Sequence, residues 1–165
     1  MQAQQIITIS EKHLNLQPDE FNPAWPPHRK IGKSAEKQIY ELVEEWLKGW
    51  LAEGETISAS ADRFAPYDFV ITHASGKCSY FDIKTRSEKS DTWTCSTKEE
   101  VFWQKACRTG NNVFVLCGTN LPENKVRIDG MWAFEDIRVV PSKFENAENS
   151  CFFGKPPYKN WLLFQ

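Results

Sequence analysis

Two strand-like runs, residues 67–72 and 78–84, are separated only by His73-Ala74-Ser75-Gly76-Lys77. A link that short, with a glycine to make the turn, joins antiparallel neighbours, so the two runs form a hairpin. Alternation along the second run turns Phe81 and Ile83 to one face and Asp82 and Lys84 to the other. A rise of about 3.3 Å per residue sets the two charged residues roughly 6.6 Å apart at their Cα atoms. Asp68, at the start of the first run, falls at the same end of the hairpin.

The surrounding pattern builds one domain. Ile6-Ile7-Thr8-Ile9 is a short apolar run, and Pro18, Pro23, Pro26 and Pro27 mark a loop after it. Residues 33–50 have helical periodicity. Glu53-Gly54-Glu55 then turns the chain into a strand over residues 56–61. Residues 86–95 read as polar and irregular. Ser96-Thr97 offers an N-cap with Glu99 and Glu100 in the first turn, which predicts a helix ending near Thr109 at Gly110-Asn111. Residues 112–117 form a compact buried strand, residues 125–128 and 131–134 two shorter ones, and residues 161–164 a last one. The fold class is therefore α/β: a single domain with a central mixed β-sheet flanked by helices.

Seven tryptophans and eleven phenylalanines in 165 residues call for an aromatic core. Trp93 and Trp103 could instead line a groove, although core is the expected place for most of these rings. A net charge of −2 excludes a protein that coats nucleic acid by bulk positive charge. An enzyme acting on nucleic acid stays open, because bound metal offsets carboxylates. Between residues 84 and 108, Lys84, Arg86, Lys89, Lys98, Lys105 and Arg108 outnumber Glu88, Asp91, Glu99 and Glu100. A phosphate backbone could follow that strip, or it could be a solvated face. Five cysteines without a CxxC pair suggest reduced thiols and a cytoplasmic location, not a zinc ribbon or a disulfide framework. No signal peptide is expected from Met1-Gln2-Ala3-Gln4-Gln5, and no apolar run approaches the roughly 20 residues that cross a bilayer, so no membrane is expected.

At about 100° per residue, Tyr40, Val43, Leu47 and Trp50 fall within roughly 40° of Glu36, with Ile39 close by. Glu36 thus lies on the helix face that packs on the sheet, while Glu41 and Glu45 point to water. Burying an unpaired carboxylate is costly, so a metal or a lysine would explain it. A first-turn acid favouring the helix dipole is the plainer reading.

Asp68 and Asp82, with the Ile83 carbonyl, make an oxygen-rich set suited to Mg²⁺. Lys84 could orient or deprotonate a water, or stabilise charge on a phosphate. An exposed Asp–Lys contact accounts for the tripeptide alone.

Taken together, Gly32-x-x-x-Glu36, Asp68 close after Pro66, and Asp82-Ile83-Lys84 within a helix–strand–strand–strand–helix order resemble the PD-(D/E)XK nuclease superfamily, the restriction-endonuclease-like fold. The resemblance covers about residues 32–118, with additions on both sides. Phe81-Asp82-Ile83-Lys84-Thr85-Arg86 is similar to the apolar-acid-apolar-Lys-Thr run of many members. Tyr67 separates Pro66 from Asp68, so the literal Pro-Asp pair is absent. The resemblance implies an αβββαβ core and hydrolysis of phosphodiesters in DNA. It further implies Mg²⁺, for which Mn²⁺ would substitute, held by Glu36, Asp68, Asp82 and the Ile83 carbonyl, with Lys84 assisting the water. Gln104 or Lys105 would take the place of a substrate-steadying residue on the next helix. Arg86 is a further candidate for contact with substrate. Superfamily members often act as homodimers.

Two other readings remain open. One is a catalytically silent member of the fold that binds nucleic acid or a partner protein. The other is a structural domain whose charged motif is coincidental.

Overall fold

The computed structural model describes residues 6–8, 24, 27–49, 51–60, 62, 65–141 and 150–154. Its elements are β1 (Ile6–Thr8), α1 (Pro27–Lys48), β2 (Thr56–Ala59), β3 (Phe69–Thr72), β4 (Cys78–Ser87), β5 (Thr92–Ser96), α2 (Thr97–Arg108), β6 (Asn112–Leu121) and β7 (Lys125–Ala133). A 3₁₀ turn (Phe134–Asp136), β8 (Val139–Pro141) and β9 (Ser150–Gly154) follow. The main sheet has the order β1-β7-β6-β4-β3-β2, and β5-β9-β8 form a smaller one. The hairpin pairs Phe69 with Phe81 and Thr72 with Cys78. β4 and β6 run parallel, which makes the main sheet mixed.

Helix α1 starts at Pro27, not at Lys33, because proline fits a first helical turn, where its missing N–H is not needed. Its Ala35, Ile39, Val43 and Leu47 are buried on one face of the sheet with Phe69, Phe81 and Ile83. Glu41 and Glu45 are exposed. Trp50 and the strand expected at residues 161–164 lie outside the described residues. Under the helix an aromatic row crosses three strands: Phe69 stacks on Phe81 at 4.6 Å, and Phe81 on Phe114 at 5.2 Å.

The opposite face of the sheet carries α2 and the small sheet around a second core of Trp93, Trp103, Val113, Val115, Cys117 and Trp132. Trp93 and Trp103 are fully buried, so neither lines a groove. Ser96 caps α2 in a full capping box with Glu99. Two expectations need correction. The stretch read as irregular contains β5, which forms because residues 92–96 pair with β9, far away in sequence. The two short strands read at 125–128 and 131–134 are one strand, bent by a bulge opposite Cys117 and Gly118.

Two close approaches align the layers. A Cβ on Gly32 would lie 3.3 Å from Thr85 Oγ1, so glycine lets the start of α1 sit against the end of β4. The Trp103 indole N–H donates to the Pro66 carbonyl at 2.8 Å and ties α2 to the segment that leads into Asp68. Trp103→Phe leaves that carbonyl without its donor and should cost about 1–3 kcal/mol. Urea unfolding monitored by circular dichroism measures it.

Candidate functional site

Four carboxylates gather where β3 begins its pairing with β4: Asp68 and Asp82 from the strands, Glu36 from α1 and Glu99 from α2. Asp68 extends β3, its N–H donating to the Phe81 carbonyl at 2.8 Å and its carbonyl accepting from Ser60 N–H at 2.8 Å. One carboxylate oxygen of Asp68 accepts the Ile83 N–H at 2.6 Å, which fixes it across the hairpin against the DxK strand. Asp82 is 3% exposed and points into the second core's side of the sheet. Lys84 Nζ lies 2.7 Å from Asp82 Oδ2 in a buried ion pair. The same ammonium donates to Glu99 Oε1 at 2.9 Å. Glu36 reaches Lys33, one turn earlier on α1, at 2.5 Å.

The electrostatics follow from burial and crowding. Burial pushes the Asp82 carboxyl well above the usual carboxylate range; Lys84 opposes this, and Asp68 and Glu99 add to it. Burial likewise raises Asp68, opposed by Lys84 and by the Ile83 N–H. Glu36 is raised by burial, against Lys33 and Lys84. Burial alone would lower Lys84, but Asp82, Glu99, Glu36 and Asp68 outweigh it and hold the ammonium charged, well above the usual lysine range. Burial would also raise Glu99, yet Lys84 and the bonds to Ser96 bring it below the usual value. Titratable groups this strongly perturbed in one place are a signature of functional sites, and a signature shared with structural ion-pair networks.

Glu36, Asp68, Asp82 and Lys84 thus share one electrostatic neighbourhood. Glu99 and Lys33 join them, and neither was a sequence candidate for the site. The Ser96-Thr97-Lys98-Glu99 spacing marks a capping box. Glu99 does serve the cap, accepting Ser96 N–H at 2.6 Å through Oε2, while its other oxygen holds Lys84. Gln104 donates to Glu100 on its own helix at 3.1 Å, and Lys105 is exposed. It is therefore Glu99, and not either of these, that α2 turns toward Lys84. Arg86 leans on Trp93, its guanidinium carbon 3.9 Å from a ring centroid.

The donor set, carboxylates and a backbone carbonyl, is one that hard divalent cations prefer. Asp82 and Asp68 are buried acids of raised pKa, and the cation that Asp82 already faces is the Lys84 ammonium. Among the described residues, no three His, Cys, Asp or Glu side chains converge as a ready-made metal cage. By donor chemistry the carboxylates of Asp68 and Asp82 suit such a divalent cation, while Glu36 is paired with Lys33.

A second constellation has the order of a hydrolytic triad: Ser79 Oγ lies 2.7 Å from His73 Nε2, and His73 Nδ1 lies 2.6 Å from Glu55 Oε1. Ser79 is only 4% exposed and also accepts Asn112 Nδ2 at 3.2 Å. No substrate can reach that hydroxyl, so the chain of bonds is a clasp between the hairpin turn and the segment before β2.

No protein-family model matches the chain, and no curated protein sequence matches it. Among solved structures, it is similar to the 1.6 Å structure of Archaeoglobus fulgidus Hjc, a Holliday junction resolvase from an archaeal hyperthermophile. The two are 17% identical with a TM-score of 0.41, over 70% of this chain and 87% of that chain. A likeness that distant adds nothing on activity, which has to be read from the site. Among the described residues, no helix is long and apolar enough to cross a membrane.

Removing Lys84 strands Asp82 and Glu99 in a largely buried setting. Lys84→Met should destabilise the fold by about 3–5 kcal/mol. Adding Asp82→Asn should recover a substantial part of that loss, since one of the uncompensated acids goes with it. Urea denaturation of the two variants separates the pair's coupling from the loss of packing.

Proposed function

We propose that this protein is a divalent-metal-dependent nuclease that hydrolyses phosphodiester bonds in DNA. The observation that carries the reading is the buried Asp82, which shares an electrostatic neighbourhood with Asp68 and lies 2.7 Å from the Lys84 ammonium. The core runs over about residues 32–118, and the flanking segments are additions to it. The order α1-β2-β3-β4-β5-α2-β6 within that span, an αβββαβ core with β5 added before α2, supports the reading, as does the resemblance of its motif to the PD-(D/E)XK nucleases.

In this reading Asp68, Asp82 and the Ile83 carbonyl hold Mg²⁺, or Mn²⁺ in its place, with Glu36 as a further acid. Such an ion supplies Lewis-acid polarisation of a phosphoryl oxygen and a more acidic water. The chain's own groups do the remaining work. Asp68 is locked by the Ile83 N–H, so its outer oxygen keeps a fixed direction. Four acids hold Lys84 protonated in the metal-free protein, and as an ammonium it would stabilise charge developing on the phosphate and orient the water. Glu99 positions Lys84 from α2. Lys33 neutralises Glu36.

One observation favours the second reading, a silent module that grips nucleic acid or a partner protein. Lys84 and Lys33 occupy the acids, and no carboxylate cage stands preassembled among the described residues.

Purified protein should nick or degrade DNA in Mg²⁺ or Mn²⁺, and EDTA should stop it. Asp82→Asn and Asp68→Asn should each lower the rate at least 100-fold with the far-ultraviolet circular dichroism unchanged. Single-stranded, duplex and branched substrates should all be assayed. Binding without cleavage on every one of them would favour the silent module.

A further inference from the structure

Beyond Lys84 the same face of β4 continues to Arg86, two residues on. There the guanidinium is held from two sides. Its carbon lies over the buried Trp93 ring, 3.9 Å from the centroid. Its Nε donates to Thr119 Oγ1 at 3.1 Å, Thr119 being its direct partner in the parallel β4–β6 pairing. The Thr119 hydroxyl in turn donates to Asp129 Oδ2 at 2.5 Å, and Asp129 Oδ1 accepts Arg127 Nε at 2.9 Å. The Asp129 side chain is 1% exposed, whereas Arg127 is 26% exposed.

The bulge in β7 makes this network. Cys117 pairs with Gly130 and Gly118 with Ile128, so Asp129 is the extra residue without a partner across the strand. A bulge redirects a side chain, and here it brings a carboxylate onto Thr119. Arg127 thus pairs with the buried acid directly, and Arg86 is linked to it through the Thr119 hydroxyl. With Nε committed to Thr119 and the carbon over Trp93, the Arg86 guanidinium has a fixed base. A planar guanidinium immobilised in this way is suited to a phosphate, which it grips with paired N–H donors.

The cluster also adjoins the acid site. The Cys117 thiol, pushed well up by burial, feels Asp129, Asp82, Lys84 and Arg86 together. Lys84 and Arg86 are separated by about 6.6 Å of strand rise.

We propose that Arg86, with Arg127 beside it, is a phosphate clamp that holds a DNA strand next to the Asp82–Lys84 site, and that Asp129 and Thr119 are its positioning residues. The proposal takes DNA as the ligand from the nuclease reading, but it requires binding only, not cleavage. Thr119→Val keeps the shape of the side chain and removes both of its bonds.

The test is fluorescence anisotropy of a labelled DNA oligonucleotide, in EDTA to prevent turnover, at 50 to 300 mM salt. Arg86→Ala should weaken binding about tenfold and reduce the salt slope by about one phosphate contact, with Thr119→Val giving part of the same effect. Asp129→Asn serves as a milder variant if either of these fails to fold. Unchanged affinity and slope in folded variants, or no binding by the wild-type protein, overturns the clamp. Arg86-dependent binding without cleavage in Mg²⁺ or Mn²⁺ keeps the clamp and discards the nuclease. Cleavage with an unchanged KM in Arg86→Ala does the reverse.

Discussion

The Lys84 ammonium, wedged between Asp82 and Glu99, is the interaction on which the rest of the site depends. Putting a cation and several acids out of water costs several kcal/mol per ion unless each is compensated. Lys84 meets that condition for acids from two elements at once, since Asp82 comes from its own strand and Glu99 from α2. The same ion pair therefore fixes the register of α2 over the sheet and keeps the carboxylates from repelling one another. A fold selected only for stability would do better with apolar residues at these positions. The retention of so many charges in one buried corner is the physical argument for function.

Around that pair the architecture supplies fixed directions. The aromatic row of Phe69, Phe81 and Phe114 stiffens the sheet under α1, and Gly32 lets the helix start close over β4. Trp103 anchors the Pro66 carbonyl just ahead of Asp68. Glu99 joins helix capping to the placement of Lys84, so the start of α2 and the site are one mechanical unit.

Much of this was legible along the chain. A five-residue link fixed the hairpin, and strand alternation put Asp82 and Lys84 on one face. Helical periodicity put Glu36 above the sheet, where burial now raises its pKa. What stayed hidden depends on contacts distant in sequence. The Ser96–Glu99 spacing announced a cap but not the lysine waiting across the β4–α2 junction. The segment with Trp93 read as loop because its partner strand comes more than fifty residues later. Asp129-Gly130 read as a break between two strands, when it is the bulge within one that turns Asp129 onto Thr119.

The proposed nuclease depends most on a cation site at Asp68 and Asp82. Calorimetric titration of Mn²⁺ into the DNA-free protein tests it without relying on turnover. Binding should saturate, and Asp82→Asn should weaken it at least tenfold, with Asp68→Asn acting in the same direction. Equal Mn²⁺ affinity in the folded wild-type and Asp82→Asn proteins would contradict it.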